Sequence, residues 1–190
     1  NVLCETAFTV NAEQAQKLFD LAKEKKLLIT EAIWTRYMPS RKMINDIIES
    51  GVIGEVTAVT ANLSYTVSHV ERIRKPELAG GALLDVGVYP INFASMVLGD
   101  KVKDVKATAI FQNGVDILDS IAMVFEGDCM ATFSVEQGKS QTEWEVFSEP
   151  EDICRCRISI IRKRLQCLIP NIKKWLLMLC RNRSQDMNMR

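Results

Sequence analysis

Val2–Glu31, VLCETAFTVNAEQAQKLFDLAKEKKLLITE, decides the fold. Asn11 can cap a helix and Gln14, three residues on, completes a capping box; Ala15, Leu18, Phe19 and Ala22 then recur at helical spacing, which predicts a helix to about Lys25. Lys26–Glu31 is a short apolar run, branched enough for a buried strand. Strand, helix, strand in this order belongs to a parallel sheet, and two strands cannot close over their own core. The opening therefore reads as the end of a larger unit, and the start at Asn1 rather than Met gives the same expectation.

Downstream the pattern changes. After Pro39, Met43, Ile44, Ile47 and Ile48 mark a second helix, which Gly51 is placed to stop in the left-handed conformation. Gly54 turns the chain into a strand from Glu55 to about Leu63, with Val59, Ala61 and Leu63 on one face. Residues 64–78 have no clean period and read as loop. Residues 80–98 are predicted helical, with a kink where Pro90 removes a hydrogen bond. Three strands follow, over 102–111, 115–125 and 130–136, and Asn113-Gly114 and Glu126-Gly127-Asp128 are turns of the kind that join antiparallel neighbours. The class is thus α/β (α+β), a mixed, largely antiparallel open sheet packed on helices, with one sheet face left to meet another surface.

Composition splits the chain at about residue 150. Of the 190 residues, 47% are hydrophobic and 25% charged, and the formal net charge is zero, which gives no electrostatic footprint for nucleic acid. Residues 1–150 hold 14 Lys and Arg against 21 Asp and Glu, whereas residues 151–190 hold 10 against 3. Cys4 and Cys129 stand alone in the acidic body; Cys154, Cys156, Cys167 and Cys180 crowd the end without a histidine, short of a zinc pattern, so no metal site is expected. The body reads as cytoplasmic. Within residues 146–190, Leu165, Leu168, Ile169, Ile172, Leu176 and Leu179 fall at roughly helical spacing among basic residues, with Pro170 interrupting. An interfacial membrane helix is one reading of this basic tail; a stretch without an evolved role is the other, and the proline and missing caps favour it.

Asp85 and Tyr89 sit four apart, on one face of the predicted helix. A tyrosine phenol is a natural proton donor to a carbonyl or alkoxide oxygen during hydride transfer, and a neighbouring carboxylate or cation tunes it. The same spacing is also ordinary structure. Trp34, Arg36 and Tyr37 follow the second strand directly, and ligands of open parallel sheets gather beyond the carboxyl ends of the strands. His69 is the only histidine, in a loop with Arg72, and such a histidine is usually surface. No G-x-G-x-x-G, P-loop or Ser-His-Asp arrangement occurs.

Four blocks in one order, VLCETAFTVNAEQA (2–15), EAIWTRYMP (31–39), ESGVIGEV (49–56) and PELAGGALLDVGVYP (76–90), resemble the family of glucose-fructose oxidoreductase, inositol dehydrogenase and dimeric dihydrodiol dehydrogenase. The dihydrodiol and xylose dehydrogenase branch is the nearest, and the resemblance covers about residues 1–145. It implies that residues 1–31 end a Rossmann-type dinucleotide-binding domain and that residues 32–145 form an incomplete α/β substrate and dimerisation domain, followed by the atypical tail. It further implies an NAD(P)-dependent oxidoreductase for a small carbohydrate-like substrate, an aldose or a dihydrodiol, and a homo-oligomer formed through the sheet face. On the matching positions Tyr89 is the general acid/base and Asp85 supports it. Glu5, Trp34 and Arg36 lie by the nicotinamide of NADP or NAD, and His69 and Arg72 reach toward substrate. The family's E-K-P motif falls on Glu5, Thr6 and Ala7, so threonine stands where the family has its lysine, without charge and with a shorter reach. With the glycine-rich loop absent from the sequence, cofactor binding is expected to be lost or weak and the chain inactive by itself. A non-catalytic dimerisation module derived from the family is the alternative, and membrane attachment ranks last.

Overall fold

The computed structural model describes residues 1–67 and 69–138 and, beyond them, the backbone of three strands. Strand β1 (Val2–Cys4) pairs in parallel with β2 (Ile29–Glu31), and helix α1 (Ala12–Glu24) crosses between them. The capping box forms one residue out of place. Asn11 Oδ1 accepts from the Gln14 N–H at 3.0 Å, while Gln14 Oε1 reaches past Asn11 to accept from the Val10 N–H at 3.2 Å. No residue of α1 is buried, and Leu3, Phe19, Leu21 and Leu28 are exposed. The two-stranded unit has its own register but no closed core.

Helix α2 (Pro39–Glu49) starts with Pro39, whose fixed φ suits a first helical position, and Gly51 at φ +68° follows its end. Among the described residues the main sheet has seven strands in the order β4-β5-β6-β3-β7-β8-β9. They are β3 (Ala58–Tyr65), β4 (Val102–Gln112), β5 (Val115–Phe125), β6 (Met130–Gln137), β7 (Trp144–Ser148), β8 (Ile153–Ser159) and β9 (Arg164–Cys167). Among the described strands of this sheet the β3–β6 pair alone is parallel. Asn113 and Gly114 both take positive φ, +54° and +83°, the primed turn whose twist matches the β4–β5 hairpin.

The core lies between one sheet face and the helices. Val59, Ala61, Ile121, Met123, Phe125, Ala131 and Phe133 point to it from the strands, and Ile44, Ile47, Phe93 and Ala94 from α2 and helix α3 (Val88–Leu98). Phe125 is fully buried, worth about 1.5–3 kcal/mol for such a side chain. The opposite face carries Thr60, Asn62, Ser120, Ala122, Thr132 and Ser134, with Thr60 and Thr132 hydroxyls 3.1 Å apart. Small polar side chains are interrupted there by Leu118, Val124 and Met130. At the outer edge, β4 is exposed along almost its whole length, Val105, Ile110 and Phe111 included.

One expectation is refined by the structure and one differs from what is found. The predicted helix over 80–98 is one continuous run from residue 82 to residue 98, with a π-type turn at Leu83–Gly87 leading into α3. Pro90 lies inside this continuous run and has no N–H to give to a carbonyl of the preceding turn, and the wider turn just before it is where the helix takes up the missing bond. The helical spacing read over 153–179 gives way to strands β8 and β9, which extend the sheet beyond β7; the rest of that range lies outside the described residues. Alternation as well as helical periodicity can be found in a sequence this rich in both apolar and basic residues, and pairing to β7 decides between them.

Candidate active site

The carboxyl ends of β1, β2 and β3 meet the start of the 83–98 segment. There Thr6, Trp34, Tyr65, Arg72, Asp85 and Tyr89 surround a cavity of about 300 Å³. Each arrives from a different element. Thr6 follows β1, in a loop held by Glu31, whose Oε1 accepts from the Phe8 N–H at 2.8 Å. Trp34 opens a short 3₁₀ turn (Trp34–Tyr37) after β2, and Tyr65 ends β3. Arg72 begins another such turn, Arg72–Arg74, inside the predicted loop.

Tyr89 is at the centre. Its hydroxyl lies 3.3 Å from the Trp34 indole nitrogen, which donates to it, and 3.4 Å from the Thr6 hydroxyl. Both contacts are long for hydrogen bonds, so the phenol oxygen is aligned without being saturated. The indole and phenol rings meet edge to face, 6.1 Å between centroids. Asp85 faces the same cavity and is ion-paired with Arg72, the carboxylate largely covered and the guanidinium half exposed. Carboxylate and guanidinium neutralise one another, so the cavity presents a phenol beside a held ion pair rather than a bare charge.

The remaining candidates fall around this centre. Glu5 lines a second cavity of about 800 Å³, which shares Thr6 and Arg72 with the first. Arg36 does not line either cavity; its Nε donates to Asn92 Oδ1 at 2.6 Å and ties the Trp34 turn to α3. His69 is exposed in the loop and lines neither. Tyr65 was not singled out by sequence, although its place at the end of a strand leading into a loop is a signal that could have found it.

Electrostatics is unusual one layer below. Asp119 on β5 is buried, and its pKa is pushed up to about 7 by that burial, then by its hydrogen bond to the Asp116 side chain and the charge there. One of its oxygens, Oδ2, has no partner. An unfolded Asp titrates near ~3.9, so the folded chain holds an extra proton between about pH 4 and 7. The stability this proton brings is complete below that window and is lost as pH rises through 7. Asp119→Asn, which keeps a donor toward Asp116 without a charge, should flatten this part of the profile and melt higher than the native chain at pH 8, by ~2–4 °C for each kcal/mol recovered. Thermal melts by circular dichroism between pH 5 and 8 check it; parallel curves for the two chains would refute the shared proton.

Comparison with known proteins adds a second line. The GFO/IDH/MocA C-terminal domain matches residues 42–156. A D-xylose 1-dehydrogenase (NADP(+)) of Hypocrea jecorina is 45% identical over 108 residues, 52% of this chain and 28% of the relative. Trans-1,2-dihydrobenzene-1,2-diol dehydrogenase of Mus musculus is 31% identical over 135 residues, 70% of this chain and 40% of the relative. Among solved structures, a variant of the 3-ketoreductase KijD10 from Actinomadura kijaniata, in complex with TDP-benzene and NADP, superposes with a TM-score of 0.76 at 25% identity, over 82% of this chain and 49% of that one. The chain thus spans well under half the length of these two dehydrogenases.

Proposed function

The chain belongs to the GFO/IDH/MocA family, and on that footing we propose that it supplies the substrate side of an NAD(P)-dependent oxidoreductase acting on a small polyhydroxylated substrate, an aldose or a dihydrodiol. The observation that carries this reading is the Tyr89 hydroxyl, set into a cavity between Trp34, Thr6 and the Asp85–Arg72 pair. A carbonyl oxygen placed against that phenol takes its proton as the carbon is reduced, and in the reverse direction the phenolate accepts the proton of a substrate hydroxyl. Asp85, fixed by Arg72, holds a constant field beside the phenol, and Trp34 limits where its oxygen can point.

NADP or NAD supplies the hydride acceptor or donor when bound. The residues present suit its nicotinamide end, where Trp34 and Thr6 stand beyond the ends of parallel strands. They do not suit its phosphate end, because the sequence has no glycine-rich loop opening a helix. Purified chain titrated with NADPH should therefore show no saturable change in nicotinamide fluorescence. Joined to a dinucleotide-binding unit from a xylose dehydrogenase, it should gain NADP-dependent turnover of pentoses or dihydrodiols. Saturable binding by the chain alone would overturn the first expectation, and a folded, NADP-binding fusion without turnover the second.

The open sheet face, where Leu118, Val124 and Met130 stand among small polar side chains, suits self-association through β3, β5 and β6, and free Cys4 and Cys129 suit a cytoplasmic setting. One observation favours the second reading, a non-catalytic dimerisation module: Thr6 brings no charge to Tyr89.

A further inference from the structure

The segment bearing Asp85 and Tyr89 begins where three parts of the chain converge. Gly80 packs so closely on the preceding loop that a Cβ there would lie 2.7 Å from the Arg72 main-chain oxygen. Gly81, at φ +126°, opens the opposite side. A Cβ on it would meet the Asp116 carboxylate, 2.8 Å from its Cγ, so a glycine is what lets that carboxylate reach the segment. Asp116 uses the opening: its Oδ2 accepts from the Leu83 N–H at 2.6 Å.

That N–H belongs to a first turn, where donors have no intrahelical partner and an anionic acceptor is favoured. Asp116 is itself tied down. Its main-chain oxygen accepts from Gln137 Nε2 at 2.7 Å, which fastens the start of β5 to the end of β6, and Asp119 hydrogen-bonds to its side chain. Held to the sheet at its main chain by Gln137 and at its side chain by Asp119, Asp116 therefore grips the segment two residues before Asp85. No part of Asp116 lines the cavity.

We propose that Asp116 is a positioning residue, whose grip on the Leu83 N–H sets the rotation and height of the segment so that the Tyr89 hydroxyl meets Trp34. The inference rests on the reading of Tyr89 given above, but it concerns placement and can be tested apart from turnover.

The test reads the Trp34 indole N–H in proton–nitrogen correlation spectra of the purified chain, assigned with Trp34→Phe among the three tryptophans. Tyr89→Phe removes the acceptor and marks where this resonance falls when unbonded. Asp116→Ala should move it most of the way to that position, whereas Asp116→Asn, which keeps an oxygen for Leu83, should leave it near the native one. Ile121→Val, a core change beneath α3, should lower the melting temperature without moving it. An unmoved resonance in folded Asp116→Ala, or an equal movement in Ile121→Val, overturns the proposal. If Asp116→Ala does not fold, the native chain decides: the Leu83 amide should exchange with solvent about 100-fold or more slower than an unprotected amide, and free exchange overturns the proposal equally. Tyr89→Phe retaining full turnover in the completed enzyme would sink the catalytic reading and leave these outcomes untouched.

Discussion

Exchanging Tyr89 for Phe in the enzyme completed with a dinucleotide-binding unit should lower kcat by about 10²–10⁴-fold, the usual worth of one placed general acid/base. The ring, its packing on Trp34 and the cavity volume all stay; only the hydroxyl goes. KM for NADP should change little, because an interaction made mainly as charge develops on the substrate oxygen lowers kcat without touching cofactor binding. Steady-state rates with a pentose and with a dihydrodiol measure this. A loss smaller than about threefold would remove Tyr89 from the chemistry, since one acid/base group is worth far more than that.

The second large effect should be a gain. Thr6→Lys in the same completed enzyme should raise kcat/KM by about 10²-fold, the scale of one well-placed electrostatic group. The Thr6 hydroxyl sits 3.4 Å from the phenol oxygen, so an ammonium on a flexible stem rooted at the same residue can reach both the phenol and a substrate oxygen. The added charge would favour the ionised phenol and shift the acid limb of the pH–rate profile downward. Intact dimers whose turnover is undetectable with either residue would instead support the non-catalytic module. A rate indifferent to lysine in an otherwise active fusion would show that the Arg72–Asp85 pair already meets the electrostatic need.

Local chemistry was legible in the sequence wherever it was short in range. Asn11 and Gln14 announced α1, Pro39 and Gly51 bracketed α2, and Asn113-Gly114 announced the first hairpin, because each signal is a residue type that tolerates one backbone geometry better than its rivals. Val59, Ala61 and Leu63 fell on the buried face as alternation required. The π-type turn was hidden, since Pro90 says only that a hydrogen bond is missing and not which turn absorbs the gap. Strands β8 and β9 were hidden for a different reason: apolar and basic residues so mixed satisfy two periods at once.

The site was legible only as far as motifs carried it. Asp85, Tyr89, Trp34, Arg72 and Thr6 line one cavity, and local spacing alone pointed to Asp85, Tyr89 and Trp34 while Arg72 entered through the resemblance. Arg36 shares the motif but bonds to Asn92, a partner 56 residues away that no local pattern names. Asp116 is the clearest case. In sequence it is one more acid in a strand, and its importance exists only once β5 lies under Leu83 and Gly81 leaves it room.

Strand β4 has a consequence for the molecule in concentrated solution. Eleven residues of extended chain, with one rim unpaired among the described residues, offer a template onto which another polypeptide can add, and Ile110 and Phe111 make the surface adhesive as well. Lys103 and Lys106 interrupt it with exposed positive charge, each leaning toward an aspartate, Asp128 and Asp104. Salt that screens these charges, or chemistry that acetylates them, should weaken the guard against edge-to-edge addition along this border, at side chains that line neither cavity.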